Sequence, residues 1–278
     1  MKFTKMQGAG NDFLLIDGFK NDLNEIVPRI KNLCDRKYGV GGDGIMVALP
    51  SETCDVKMFY YNSDGSQSEM CGNGLRCFSK FVFEKGIVNK ENLKIETLAG
   101  VQLADLTTED GKVKQVEIEI GNPIFSPKEI PVDMDGEDVF NKELEVFGEK
   151  VKFSTIFLGV PHTVIFMNSE NQYDINKFGR EIEKHKLFPK KTNVNFIFVE
   201  DRKTIKIFTW ERGAGRTLAC GTGSCSAGLV SYKLGYTDKE AKIITEGGDL
   251  YIKVLENGVR LRGGAEITFE GEVDLAKY

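Results

Sequence analysis

Apolar and polar side chains alternate with period two over residues 116–120 and 259–262, while 57–61, 195–199 and 205–209 are rich in aromatic and β-branched side chains, and each stretch predicts a strand. Apolar residues recur instead at three- and four-residue spacing over 23–38, 75–85, 175–187 and 224–234, which predicts helices, those over 23–38 and 175–187 with their charges on one face. Two of these helical runs follow the same short phrase, Cys71-Gly72-Asn73-Gly74 and Cys220-Gly221-Thr222-Gly223, and each stops at a glycine, Gly86 and Gly235. The cysteines lie 149 positions apart, and each closing glycine lies 15 residues beyond its cysteine. Further on, Thr97-Leu98-Ala99-Gly100 answers Thr245-Glu246-Gly247-Gly248 at an offset shorter by one. The other helical pair falls at roughly the same spacing, so the repeat is one of whole domains.

Between the halves, Gly121-Asn122-Pro123 and Ser126-Pro127 open a passage rich in proline and acid that reaches Gly136 and suits a crossover. The expected domains are therefore 1–121 and 122–266, with a last strand in 267–278 that returns to the first. At 278 residues, 41% of them hydrophobic, the chain can bury a core in each half. Its net charge of −5 argues against a general nucleic-acid or membrane-surface binder, whose affinity rests on a basic field. Neither a signal peptide nor an apolar run of about 18 residues is found, which points to the cytoplasm and to reduced thiols.

Among the six cysteines, Cys34 and Cys54 read as small buried hydrophobes and Cys77 and Cys225 as packing residues of the helices. No metal is expected, because the spacings Cys71 to Cys77 and Cys220 to Cys225 are not those of zinc motifs and only two histidines exist. His185, within the charged stretch 180–186, reads as part of a solvated helix face. The stretch 39–44 satisfies a dinucleotide-binding pattern literally, but it follows a helical segment and precedes a strand-like one, the reverse of what that fold needs. Cys71 and Cys220 are different. A thiol just before Gly-x-Gly at a helix start lies beside amides with no helical partner, which bind anions and favour the thiolate. Two such termini facing each other would hold one carboxylate and present a thiol to each face of the neighbouring carbon. One thiol would remove an α-proton and the other return one.

The phrases Met6-Gln7-Gly8-Ala9-Gly10-Asn11-Asp12-Phe13, Tyr61-Asn62-Ser63-Asp64-Gly65-Ser66, Met70-Cys71-Gly72-Asn73-Gly74-Leu75-Arg76-Cys77, Gly159-Val160-Pro161-His162 and Trp210-Glu211-Arg212-Gly213, with Ala219-Cys220-Gly221-Thr222-Gly223, resemble the diaminopimelate epimerase family in identity and order. The resemblance implies an α/β (α+β) fold of two pseudo-symmetric domains, each a curved mixed β-sheet wrapped around a central helix. It implies interconversion of LL- and meso-diaminopimelate on the route to lysine and peptidoglycan, without pyridoxal phosphate, metal or any other cofactor. Cys71 and Cys220 match the two bases, and Gly72, Asn73, Gly221 and Thr222 match the groups that bind the carboxylate at the reacting centre. Asn11, Asn62, Asn193, Glu211 and Arg212 match substrate-binding positions, and His162 and Glu211 match residues that adjust the protonation of the thiols. Glu211 lies nine residues before Cys220, as Asn62 lies nine before Cys71. The expected partner is a small amino-acid substrate, not nucleic acid or membrane, and the expected assembly a homodimer.

Two positions depart from the family pattern. Val160 stands where many members have asparagine, and Lys191 where arginine is frequent two positions before Asn193. An isopropyl group in place of an amide removes a donor and an acceptor, so the substrate is less firmly fixed by the resemblance than the thiol chemistry. A related racemase of another amino acid, of the histidine or proline type, therefore stays open. So does a non-catalytic amino-acid-binding or thiol redox protein, although a redox pair usually lies close in sequence, as in Cys-x-x-Cys.

Overall fold

Alternating stretches become strands, and helices stand where parallel strands must be joined, in a computed structural model that describes residues 1–278. The chain divides into two compact units, one of residues 1–119 and 262–278, the other of residues 120–261. The first unit contains β1 (Lys2–Gly8), β2 (Asn11–Asp17), α1 (Leu23–Ile26), α2 (Ile30–Cys34), β3 (Gly44–Leu49), β4 (Val56–Asn62), β5 (Gln67–Ser68), α3 (Gly72–Glu84), β6 (Asn92–Thr97), β7 (Gly100–Glu109) and β8 (Lys112–Ile120). The second contains β9 (Lys142–Val146), β10 (Glu149–Leu158), β11 (Val160–Phe166), α4 (Ile175–Glu183), β12 (Asn193–Asp201), β13 (Thr204–Glu211), β14 (Gly215–Thr217), α5 (Gly221–Lys233), β15 (Glu240–Thr245), β16 (Gly248–Leu255) and β17 (Gly258–Gly263). The last strand, β18 (Glu266–Glu272), pairs antiparallel with β1 of its own unit and is followed by a 3₁₀ turn at Leu275–Lys277.

Each unit holds a mixed sheet with its parallel pairs at the same steps. In the first, β1 and β2 are antiparallel, β2 runs parallel to β3, β3 antiparallel to β4, and β4 pairs with β5 and, in parallel, with β6. In the second, β10 and β11 are antiparallel, β11 runs parallel to β12, β12 antiparallel to β13, and β13 pairs with β14 and, in parallel, with β15. A parallel step needs a crossover, and each is supplied by helices: α1 with α2, then α3, in one unit, and α4, then α5, in the other. The correspondence is residue-exact around the helices. Phe13 is paired with Gly44 in one unit and His162 with Asn193 in the other, and both members differ by the same 149 positions that separate Cys71 from Cys220.

Helices α3 and α5 are buried on nearly every side, from Asn73 to Val82 and from Gly223 to Ser231. Their glycines reflect close approach to strands. A Cβ at Gly74 would lie 1.8 Å from Met46 Cε, and one at Gly228 2.5 Å from Ile252 Cδ1, which outweighs the roughly 1 kcal/mol that glycine costs within a helix. The remaining core of the first unit gathers Leu14, Ile16, Ile30, Leu33, Ile45 and Val47, and that of the second Val151, Phe153, Ile165, Ile182, Val194 and Phe196.

Four readings of the sequence are corrected. The stretch 23–38 is not one helix: Pro28, which lacks an amide hydrogen, forces a short 3₁₀ turn between α1 and α2, and α2 ends at Cys34. Beyond it the Asp35 carboxylate accepts the amides of Lys37 and Tyr38 and holds a turn. The stretch 175–187 is helical only to Glu183, where the amides of Lys184 and His185 fall back to residues three earlier and the chain turns to bury Phe188. His185 is consequently half-buried in a turn, its Nδ1 accepting the Leu187 amide, and not on a solvated helix face. Cys54 is half-buried beside Thr53 instead of lying in the core.

Removing the Phe78 ring from the fully buried face of α3 should cost about 3–5 kcal/mol. Truncating Leu98, which is 53% exposed, should stay within about 0.5 kcal/mol. Urea unfolding of Phe78→Ala and Leu98→Ala measures both, and equal losses would contradict the placement of α3 at the centre of its unit.

Candidate active site

Cys71 and Cys220 are the N-cap residues of α3 and α5. Both have extended backbones, with φ −138° and ψ 122° at Cys71 and φ −121° and ψ 118° at Cys220. The first helical bonds are those of Leu75 to the Cys71 carbonyl, 2.7 Å, and of Ser224 to the Cys220 carbonyl, 2.9 Å. The amides ahead of these have no helical acceptor, which makes each helix start electropositive and suited to an anion. At Cys220 the Gly223 amide already donates to Sγ, at 3.4 Å. Cys34 and Cys77, by contrast, are pushed up to about 12 by burial and stay as inert thiols.

In the first unit Asn11, Asn73 and a residue passed over in the sequence, Asp43, form one chain. Asn73 Nδ2 donates to Asn11 Oδ1 at 2.6 Å, and Asn11 Nδ2 donates to Asp43 Oδ2 at 3.0 Å. Because an ionised carboxylate only accepts, Asp43 fixes the orientation of both amides. Arg36 binds Asp43 at 2.8 Å and also grips Asp12, which Lys5 approaches within 2.8 Å. Burial would raise Asp12, but the hydrogen bonds from Arg36 and Lys5 outweigh it and hold the carboxyl well below its ordinary range. Asn62, at the end of β4, is half-buried with its amide on Ser66 Oγ at 3.1 Å. Gly72 opens α3 beside Cys71.

In the second unit His162, Thr222 and Cys220 are linked in one chain of contacts. His162 Nε2 lies 2.9 Å from Thr222 Oγ1, which lies 3.4 Å from Cys220 Sγ. His162 is fully buried, and burial, with the Arg212 charge added, lowers it to about 3, so the ring is neutral. Its other nitrogen meets Asn195 Nδ2 at 3.3 Å. Gly221 follows Cys220 as the first residue of α5. Asn193 is committed to the backbone, accepting the Arg212 amide at 2.8 Å and donating to the Pro161 carbonyl at 3.0 Å, so that it shapes the turn carrying Glu211 and Arg212. Glu211 accepts the Thr217 hydroxyl at 2.6 Å. Arg212 is exposed and anchored on the Lys190 carbonyl. The same turn is held from behind by buried Glu183, which accepts Trp210 Nε1 at 2.8 Å and the Gly213 amide at 3.3 Å. Lys191 lies 3.6 Å from that carboxylate, and Val160 opens β11 half-buried.

Three contributors escaped the sequence reading. Asn195 carries a signal, since Asn193 and Asn195 are polar positions two apart ahead of the apolar run Phe196–Val199 of the same strand and so share a face. Asp43 lies in the glycine-rich stretch 39–44, whose spacing points only to a nucleotide motif. Glu183 looked like one more helix charge, and only its burial distinguishes it.

The family model of diaminopimelate epimerase matches residues 3–126 and 154–268. A diaminopimelate epimerase from Acetivibrio thermocellus is 43% identical over 277 residues, 99% of each chain. One from Clostridium perfringens is 45% identical over 272 residues, 98% of each chain, and one from Methanococcus maripaludis is 40% identical over 277. Among solved structures, a phenazine biosynthesis protein of the PhzF family from Bacillus anthracis has a TM-score of 0.68 at 15% identity, covering 98% of both chains. A hydroxyproline epimerase from Agrobacterium vitis has a TM-score of 0.68 at 13% identity, covering 98% of this chain and 91% of that one. At such identities the likeness is one of fold, a mixed α/β architecture that is mostly sheet.

The neutral, buried His162 makes stability depend on pH. An unfolded histidine titrates near 6.5 and the folded one near 3, so the unfolded state binds the extra proton between these values and stability falls as pH falls through them. Between pH 7.5 and pH 5 the wild-type protein should lose about 2 kcal/mol more than His162→Gln. Urea unfolding at both pH values measures it; parallel losses would mean that His162 is charged in the fold.

Proposed function

The chain belongs to the diaminopimelate epimerase family, and we propose that Cys71 and Cys220 are the acid–base pair with which it epimerises the α-carbon of diaminopimelate. The protein is an amino-acid epimerase, and the reading of its site rests above all on one observation: the two cysteines are the N-caps of equivalent helices in the two units. An α-hydrogen beside a carboxylate is a weak acid. Its removal leaves negative charge on the carbon and carboxylate, and amides fixed in advance at the starts of α3 and α5, from Gly72, Asn73, Gly221 and Thr222, stabilise it without reorganising. One thiolate takes the proton and becomes a thiol, the other thiol gives its proton to the opposite face of the carbon and becomes a thiolate, and the pair has exchanged states.

Around this pair the remaining residues take definite roles. Neutral His162 acts on Cys220 through Thr222, and Glu211 acts with it on the protonation of the thiols. Arg212, with its planar fork, receives the distal carboxylate, while Asn62, Asn11 and Asn193 complete the polar surroundings. The product, meso-diaminopimelate, serves lysine and peptidoglycan precursors, and we place the enzyme in the cytoplasm as a homodimer. No helix is long and apolar enough to cross a membrane.

Replacing either thiol should lower kcat by at least about 10²–10⁴-fold, the range of a lost acid–base group, while Cys34→Ala should leave kcat unchanged. A Cys71→Ala enzyme with near-normal turnover would contradict the two-base reading. For the substrate, Val160→Asn should change kcat/KM on LL-diaminopimelate by no more than about tenfold, or about 1.4 kcal/mol. Activity of the natural chain on histidine or proline with none on diaminopimelate would instead assign a different amino acid and leave the thiol chemistry standing.

A further inference from the structure

The two units solve the space behind their cysteines differently. At the 149-residue offset, Phe13 corresponds to His162, Met46 to Asn195 and Gly74 to Gly223. In the first unit the glycine leaves room for a thioether, 1.8 Å from where a Cβ would stand. In the second it leaves room for an amide, since a Cβ at Gly223 would lie 2.4 Å from Asn195 Oδ1. An apolar pair on one side is a polar pair on the other.

The polarity of that pair follows from its neighbours. Asn195 is wholly buried, and its Nδ2 lies 3.4 Å from the Thr163 carbonyl oxygen, which can only accept; Thr209 Oγ1 lies 3.4 Å from its Oδ1. The amide nitrogen therefore also faces His162 Nδ1, at 3.3 Å, and that ring nitrogen must accept. A neutral imidazole has one hydrogen, so it sits on Nε2 and is donated to Thr222 Oγ1 at 2.9 Å. With its oxygen so engaged, Thr222 turns its own hydrogen to Cys220 Sγ, 3.4 Å away, where the Gly223 amide also points. The opposite tautomer would reverse every bond: Thr222 would donate to the ring and accept from the thiol, favouring S–H over S⁻.

We propose that Asn195 is a positioning residue that fixes neutral His162 as the Nε2–H tautomer, so that Thr222 donates to Cys220 and favours its thiolate. The proposal rests on Cys220 being one of the two bases. It assigns to a residue remote from the substrate the choice of which form of Cys220 the resting enzyme holds.

Nitrogen-15 NMR of the histidine rings tests it in the wild-type protein, where His185→Gln identifies His162 among the only two histidines. The expected spectrum is that of an Nε2–H imidazole, and an Nδ1–H spectrum overturns the proposal. In Asn195→Asp at pH 9 the carboxylate can only accept, so the ring should switch to Nδ1–H. Alkylation of Cys220 by iodoacetamide should then slow about fivefold relative to half-buried Cys54 in the same sample, the effect of one lost hydrogen bond of about 1 kcal/mol. A switched tautomer with unchanged Cys220 labelling also overturns it. Should Asn195→Asp fail to fold, Thr222→Val provides the labelling comparison, because it removes the donor directly. Normal turnover in Cys220→Ala would remove the base assignment without altering the ring tautomer, so the two failures are distinguishable.

Discussion

A thiol at the N-cap of a buried helix is the arrangement on which both units depend. The cap residue must be extended, the next residues must be small, and the helix must be enclosed so that its unpaired amides act in a low-dielectric setting. Each demand is met twice. Cys71 and Cys220 have the extended backbone, Gly72 and Gly221 follow, and α3 and α5 are buried along most of their length. The parallel steps from β4 to β6 and from β13 to β15 require a crossover, and the helix that makes it is the one capped by the thiol.

A duplicated frame gives two equivalent thiols, but an epimerase must treat two faces of one carbon and hold one distal group. The units have diverged at the positions where this matters. Asn11 of the first corresponds to Val160 of the second, Asn62 to Glu211, and Asn73 to Thr222. In the first unit the residue after Gly72 is held by Asn11 and, behind it, by the charged set of Asp43, Arg36 and Asp12; in the second its counterpart is held by a neutral histidine. Charge anchors one helix start and a tautomer the other. The valine at 160 thus stands at the position of a polar residue in the first unit.

Much of this was legible in the sequence because it is periodic. The repeat of Cys-Gly-x-Gly at a constant offset marked both helices and their cysteines, and the strand-like stretches marked β3, β4, β8, β12, β13 and β17. Where the reading ran long, at 23–38 and 175–187, local chemistry stopped the helix: Pro28 in the first, and in the second the turn that buries Phe188. The residues that orient the site were harder to read. Glu183 and Asn195 act through burial, and all three, Asp43 included, through the polarity of a particular neighbour; neither quantity is written in spacing. The family resemblance named Asn193 among the substrate-binding positions, but its commitment to the Arg212 amide and the Pro161 carbonyl was not legible.

The central claim is that two separate thiols, not one, carry the proton away from and back to the carbon. Conversion of LL-diaminopimelate in deuterium oxide, followed by NMR at early times, tests it most directly, because thiol hydrogens exchange with solvent before the reaction. Two bases predict that each molecule of meso product carries deuterium at the inverted carbon while the unreacted LL substrate keeps its hydrogen. Product that retains the substrate's own hydrogen, or deuterium entering the LL substrate before any inversion, would show a single base and contradict the account.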